Sequence, residues 1–296
     1  MDESIRKKIS GYAADEYFDY VIYSALAKKE KDEQRRAALY QLGEKEKDHY
    51  LFFTKLTGGD PGALPAVSAL SRFGLILLRS LFGLVFTMKF LERHEHKVIE
   101  EYKSIASQLD KGSQDEFNRI INDEEDHENY FISQVNEPVI KYIGFIALGL
   151  TDAIIEVTGV HAGFLGALSS TLIAGVAGLI VGFSASISMG VAAYLKAKSE
   201  SNLNPLSSAF VTSASYLFSV ILLALPYFLT GNMMIAFFVS ILLAIALNGI
   251  FTFYVAIIQE RNFRREMIEN ILLLSGTAVA TFLFGEGLNK LFNLDF

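Results

Sequence analysis

Between positions 201 and 259 the chain carries no Asp, Glu, Lys or Arg. A bilayer-spanning helix needs about 20 largely apolar residues, so this stretch has the length of two. A second stretch, 142–195, is interrupted only by Asp152 and Glu156 and again has room for two spans. Breaks are expected at Val160, His161, Ala162 and Gly163 in that stretch, and at 229–232 in the other. A fifth apolar segment runs over about 267–288, with its uncharged length cropped by Glu269 and Glu286. The expected spans are therefore 141–160, 169–195, 207–229, 232–257 and 267–288.

The remaining charge is elsewhere. Residues 1–141 hold 20 of the 26 basic and 25 of the 33 acidic side chains. The chain thus reads as two domains, a soluble one over 1–137 and a membrane one over 138–296. A net charge of −7 speaks against a general nucleic-acid binder. The absence of cysteine excludes a disulfide framework, thiolate zinc sites and cysteine-held iron–sulfur clusters. Residues 1–10 are polar, without the apolar core of a signal peptide. Lys141, Lys196, Lys198, Arg261, Arg264 and Arg265 all flank one set of span ends. The positive-inside rule then predicts a cytosolic N-terminal domain, an outside C-terminus and residence in the plasma (inner) membrane.

Asp152 and Glu156 are four residues apart, on one face of the first span. A carboxylate inside a span is costly unless it is paired, hydrated or holding a cation, so the pair is a candidate ion site. Thr151 and His161 lie nearby in the sequence. The second span places Ala174, Gly178, Gly182, Ser186 and Gly190 at every fourth position, a row that lets another helix approach closely.

The soluble half reads as four amphipathic segments, about 3–31, 32–56, 71–109 and 113–137. The connection between the second and third, with Gly58, Gly59, Asp60, Pro61, Gly62 and Pro65, is long; the other two are short. Two hairpins joined by a crossover is the ferritin-like four-helix arrangement. The fold class is all-α: a four-helix bundle followed by a five-helix transmembrane domain. The third segment is apolar enough over 73–90 to be taken for another span. Arg79 and Lys89 argue against that, and a span there would put the two halves of the bundle on opposite sides of the membrane. Its apolar face is read as a contact surface, between two copies or against the membrane.

Glu46 and His49 form a Glu-x-x-His pair on the second segment, and Glu124 and His127 form one on the fourth. The first segment offers Glu16; the third offers Glu92 and Glu95. One Glu from each of two helices plus Glu-x-x-His from the other two is the recipe for a carboxylate-bridged pair of metal ions. Carboxylates bridge and neutralise the two ions, and imidazole suits iron. The fourth helix leaves its register open, because Glu125 and Glu128 are also three apart; Glu128 shares the Glu124 face and is a further candidate ligand. His94 and His96 read as surface or supporting residues, and Tyr20, Tyr23 and Tyr50 as core or site-flanking aromatics.

These residues, with Ala13, Asp15 and Lys89, resemble the rubrerythrin-type di-iron domain of the ferritin-like superfamily. The membrane half resembles the vacuolar iron transporter family, through Gly149, Leu150, Thr151 and Asp152, and through Ile187, Ser188, Met189, Gly190, Tyr194, Leu195, Lys198, Ser199 and Glu200. Their fusion in this order resembles the membrane-bound ferritin family of bacterial iron exporters.

The resemblance implies a homodimer with a metal path between protomers, and Fe²⁺, often Mn²⁺, leaving the cytosol in exchange for protons. Carried over, Asp152 and Met189 would line the translocation site, with a thioether favouring transition metals. Two departures stand out. The link over 199–205 is too short for the Glu-rich insertion of vacuolar relatives, so the N-terminal domain is expected to capture metal instead. Positions 183–186 hold no carboxylate, a gap that Glu156 is expected to fill. The expected function is an iron exporter whose cytosolic domain holds two iron or manganese ions and captures, senses or oxidises the metal. A membrane-tethered ferroxidase or peroxide-scavenging enzyme and a Mn²⁺ transporter are the alternatives.

Overall fold

The computed structural model describes residues 2–60, 67–93, 101–103, 105–106, 111–134, 138–167, 170–199 and 203–292, without the side chains of residues 92, 125–134 and 138–139. The described residues are helical with short connections and contain no strand. The chain separates into two compact units, Met1–Glu137 and Pro138–Phe296.

In the first unit, α1 (Glu3–Lys29) and α2 (Glu33–Thr57) form an antiparallel hairpin. The turn is set by local chemistry. The Asp32 carboxylate caps α2 by accepting from the Arg35 N–H at 2.9 Å, and Glu30 Oε1 accepts from the Lys31 and Asp32 N–H groups. Helix α2 ends at Gly58, whose φ of 67° is the left-handed value that a glycine adopts without penalty. Next come α3 (Ala69–Phe82), α4 (Leu84–Glu92), helical residues at 101–103 and 105–106, and α5 (Lys111–Gln134).

The expected continuous segment over 71–109 is interrupted. Gly83 has φ 90° and ψ 172°, outside helical space, and separates α3 from α4. A glycine reaches that conformation without a Cβ clash, and an apolar periodicity across it cannot reveal the break. Arg79 then ties α3 to the hairpin turn, donating to Glu30 Oε2 at 2.5 Å and to the Leu26 carbonyl at 2.8 Å. Leu70, Phe73, Leu77 and Leu81 line an exposed face of α3, whereas Leu84, Val85, Phe86 and Met88 of α4 are buried.

The second unit opens with the short α6 (Pro138–Lys141). Five long helices follow: α7 (Ile143–Ala167), α8 (Thr171–Ser199), α9 (Pro205–Leu229), α10 (Met233–Ile258) and α11 (Phe263–Phe292). All five are long and apolar enough to cross a membrane, and the chain is an integral membrane protein. The break expected at 160–163 is absent. Helix α7 runs through it to Ala167. In a bilayer a broken helix leaves backbone groups without water to satisfy them, so two small residues do not end a span. Gly163 and Gly166 are instead where α7 meets α11: a Cβ on Gly166 would lie 2.9 Å from the Glu286 backbone nitrogen. Helix α8 runs past the expected end at 195 to Ser199, and α11 begins before the expected 267 at Phe263, because Lys196, Lys198, Arg264 and Arg265 are helical.

The small-residue row of α8 is buried along its length and packs on α7 and α9. Gly182 meets Val220, Gly190 meets Ser213, and Gly178 meets His161. The Ser213 hydroxyl donates to the Ser186 carbonyl at 2.8 Å, adding a polar tie between α8 and α9.

Candidate metal centre

Helices α1, α2 and α5 bring Glu16, Glu46, His49 and Glu124 into one buried cluster. Each residue offers a ligand atom, and these atoms all lie within 4.8 Å of one another. His49 Nδ1 is 2.9 Å from Glu124 Oε1, 3.3 Å from Glu46 Oε2 and 3.8 Å from Glu16 Oε2. Its Nε2 faces Asp123 Oδ2 at 3.7 Å, and Asp123 is also held by Lys45 Nζ at 3.3 Å.

The helix register produces this convergence. Glu46 and His49 are three apart and share a face of α2. One turn from the cluster on each helix stands an apolar residue, Tyr12 before Glu16, Phe53 after His49 and Ile120 before Glu124. With Tyr102 and Phe117 these form a packed aromatic floor; the Tyr12 and Tyr102 rings are 4.6 Å apart, edge to face. Water is excluded on that side. The Tyr102 hydroxyl donates to Glu16 Oε1 at 2.8 Å, and the Tyr12 hydroxyl donates to Glu101.

Three carboxylates in so dry a place repel one another. Burial, followed by the charges of Glu124 and Glu46, raises the Glu16 carboxyl well above its usual range. Asp19, half-buried one turn further along α1, is raised by burial and by the charges of Glu46 and Glu16. For His49, burial acts to lower the pKa, but hydrogen bonds from the ring to Glu124, Glu16 and Glu46 outweigh it and hold the imidazole protonated far above its ordinary range. Burial also raises the Tyr102 phenol, helped by Glu16. Without metal, the cluster therefore retains protons at neutral pH.

The donor set fits a divalent metal. Carboxylate oxygen and imidazole nitrogen bind such ions at about 2.0–2.2 Å, which puts opposed donors about 4.4 Å apart, close to the spread found here. Of the other residues expected at this site, Glu95 lies outside the described residues. Glu92 lies at the end of α4, and His127 and Glu128 on α5, but their side chains lie outside the described set. Two neighbours escaped the sequence reading. Asp19 repeats the three-residue spacing after Glu16 and was detectable from it. Tyr102 carried no signal, because only the packing of Tyr102, Ile105 and Ala106 against α1 brings it to Glu16.

In the membrane unit, Asp152, Glu156 and Met189 are all half-buried. Glu156 accepts a hydrogen bond from the Tyr216 hydroxyl of α9. It also lines a groove of about 660 Å³ between α7 and α11, with Gly159, Gly163, Thr277 and Thr281. Met189 packs against the core formed by Ala153, Ile154, Val157 and Tyr216. His161 turns away from this groove toward Gly178 of α8 and Tyr227 of α9. Among the described residues, Asp152 and Glu156 do not belong to a convergent group of three or more Asp, Glu or His side chains.

Residues 200–286 match the VIT family. The match spans α9, α10 and most of α11, so the VIT portion includes Tyr216 and the α11 wall of the groove. Asp152, Glu156 and Met189, on α7 and α8, precede the residues matched to the VIT family. No curated protein matches the chain.

Proposed function

We propose that the protein is a membrane transporter that exports Fe²⁺, and also Mn²⁺, from the cytosol in exchange for protons. The observation that carries this reading is the VIT match within a unit of five apolar helices. The carboxylates of α7 are its working parts. Asp152 and Glu156 would bind the metal cargo, with Met189 favouring a transition metal over Mg²⁺ or Ca²⁺. Protonation of a carboxylate weakens its hold on metal, which couples release to the proton gradient.

The N-terminal unit is a ferritin-like di-metal domain in this reading, facing the cytosol. Glu16, Glu46, His49 and Glu124 would hold metal, with Glu92, Glu95, His127 and Glu128 completing a two-ion site. Bound iron would supply redox chemistry there. The chain's own contribution is the dry aromatic floor, the Tyr102 hydrogen bond that orients Glu16, and proton release from His49 and Glu16 on metal capture. A homodimer would bring two α7–α11 grooves together around the metal path.

The deciding experiment is Fe²⁺ and Mn²⁺ flux into proteoliposomes, with a pH dye in the same vesicle. Metal entry with opposite proton movement establishes the transporter. No flux, with oxygen or peroxide consumed alongside Fe²⁺, would establish the second reading, a membrane-tethered ferroxidase. That reading draws on one observation: Tyr102, an oxidisable phenol, hydrogen-bonds directly to Glu16.

A further inference from the structure

Helix α3 shows its apolar side outward. Leu70, Phe73, Leu77 and Leu81 recur at three- and four-residue spacing on one face, and they are 79%, 63%, 46% and 67% exposed. Among the described residues of the first unit, the other exposed large apolar side chains are Tyr40 and Leu51. The charged side of the helix is the one turned inward: Arg79 donates to Glu30 Oε2 and to the Leu26 carbonyl at the turn of the α1–α2 hairpin. A surface helix ordinarily does the reverse, burying its apolar stripe and showing its charges. A contiguous exposed apolar patch marks a binding surface. The helix forms without a partner, because the Ser68 hydroxyl caps it by accepting from the Ser71 N–H at 2.9 Å, and Gly83 ends it. Beyond that glycine the apolar side chains of α4 are buried, so the break at Gly83 separates an outward stripe from an inward one.

Charge, tether and length say what covers the face. Between Asp60 and Glu92 the chain has no acidic residue and three basic ones, Arg72, Arg79 and Lys89, in a unit otherwise rich in Asp and Glu. Arg72 is exposed beside Phe73. Basic residues along an apolar stripe match a lipid surface that bears anionic headgroups. A second copy fits less well, because two such faces meeting about a two-fold axis set basic residues against basic residues. Eight residues, 135–142, join α5 to the first span and reach at most about 30 Å. The chain thus keeps the first unit near a bilayer, and a tether makes even a weak contact effective. The 14 residues of α3 measure about 21 Å, short of a hydrocarbon layer about 30 Å thick, so the helix lies on a bilayer rather than across it.

We propose that α3 is a lipid-binding face of the first unit. It lies in the membrane interface, with Leu70, Phe73, Leu77 and Leu81 among the acyl chains and Arg72 at anionic headgroups. The long stem of an arginine stays with apolar surface while its guanidinium reaches phosphate. Arg79 is the anchor on the opposite side, holding the lipid-bound helix to the hairpin that carries Glu16, Glu46 and His49. The first unit is then held to the bilayer twice, by the covalent link after α5 and by the α3 face. This inference does not depend on the transport reading.

The chain contains no tryptophan, so Phe73→Trp puts a single reporter on the face. The full-length variant is reconstituted into vesicles of phosphatidylcholine and phosphatidylglycerol and excited at a wavelength that tryptophan alone absorbs. The expected result is blue-shifted emission, mostly lost when the acyl chains are brominated and little affected by acrylamide in the water. Emission quenched by acrylamide and not by brominated lipid overturns the proposal and leaves the face in water. Emission shielded from both overturns it in favour of a protein contact, a second copy included. Adding Leu77→Glu and Leu81→Glu is expected to move the reporter into water, with red-shifted emission open to acrylamide. Emission and quenching left unchanged by those two charges overturn the proposal. Should Phe73→Trp fail to fold, Leu70→Trp reports from the same face, with the same outcomes deciding.

Discussion

His49 Nδ1 stands 2.9 Å from Glu124 Oε1, an ion pair that joins α2 to α5 at the centre of the buried acidic cluster. Both residues are nearly inaccessible. The pair forms because the protonated imidazole offsets the charge of three carboxylates that the helix registers bring together. On the proposed reading, metal capture would displace the His49 proton, so the two would be sides of one exchange.

Glu124→Gln removes a donor and a charge from that exchange. Metal bound by the N-terminal unit is expected to fall at least about tenfold in affinity, since even supporting residues around metal ligands contribute about 10–100-fold. Titration of the purified full chain with Mn²⁺, read by electron paramagnetic resonance, checks this. Affinity equal to that of the unsubstituted protein would remove Glu124 from the site.

Tyr102→Phe keeps the ring in the aromatic floor and deletes only the hydroxyl that donates to Glu16. The expected outcome is a loss of about 10–100-fold in metal affinity with little change in the melting temperature of the metal-free protein. A large drop in that melting temperature would mean that the hydroxyl serves the fold rather than the site.

The metal-free protein is expected to lose stability as pH rises. The Glu16 and Asp19 carboxyls and the His49 imidazole are all raised relative to the unfolded chain. The folded state therefore binds more protons, and its advantage is full below the unfolded carboxyl value of about 4.5 and declines as pH rises through the folded values. Saturating Mn²⁺ should reverse the slope, because metal replaces those protons. Thermal melts of the full chain from pH 5 to pH 8, with and without Mn²⁺, measure both slopes. A metal-free melting temperature that climbs with pH contradicts the assignment.

Asp152→Asn is expected to abolish metal flux in proteoliposomes while metal binding in the N-terminal unit persists. Normal flux in this variant would move the transport site away from α7.

Gly182→Ala should destabilise the membrane unit by about 1–3 kcal/mol, because the added methyl meets the Val220 side chain where α8 and α9 approach. The midpoint of thermal inactivation of flux reports it, and an unchanged midpoint would show that α9 gives way without cost.

Much of this molecule is legible in residue order. The uncharged stretch over 201–259 is enough to specify two membrane helices, because no local alternative satisfies its backbone in lipid. The spacings of Glu46 with His49 and of Asp152 with Glu156 specify shared faces, because helix periodicity is a local property. Which faces meet is not local. Tyr102 reaches Glu16 only through the packing of separated segments, and Gly83 breaks a helix that apolar periodicity alone would continue. His161 lies close to Glu156 in the chain, yet α8 and α9 surround it while Glu156 lines the groove toward α11. Side-chain periodicity sets direction around one helix axis, and only the packing of several helices decides what lies in that direction.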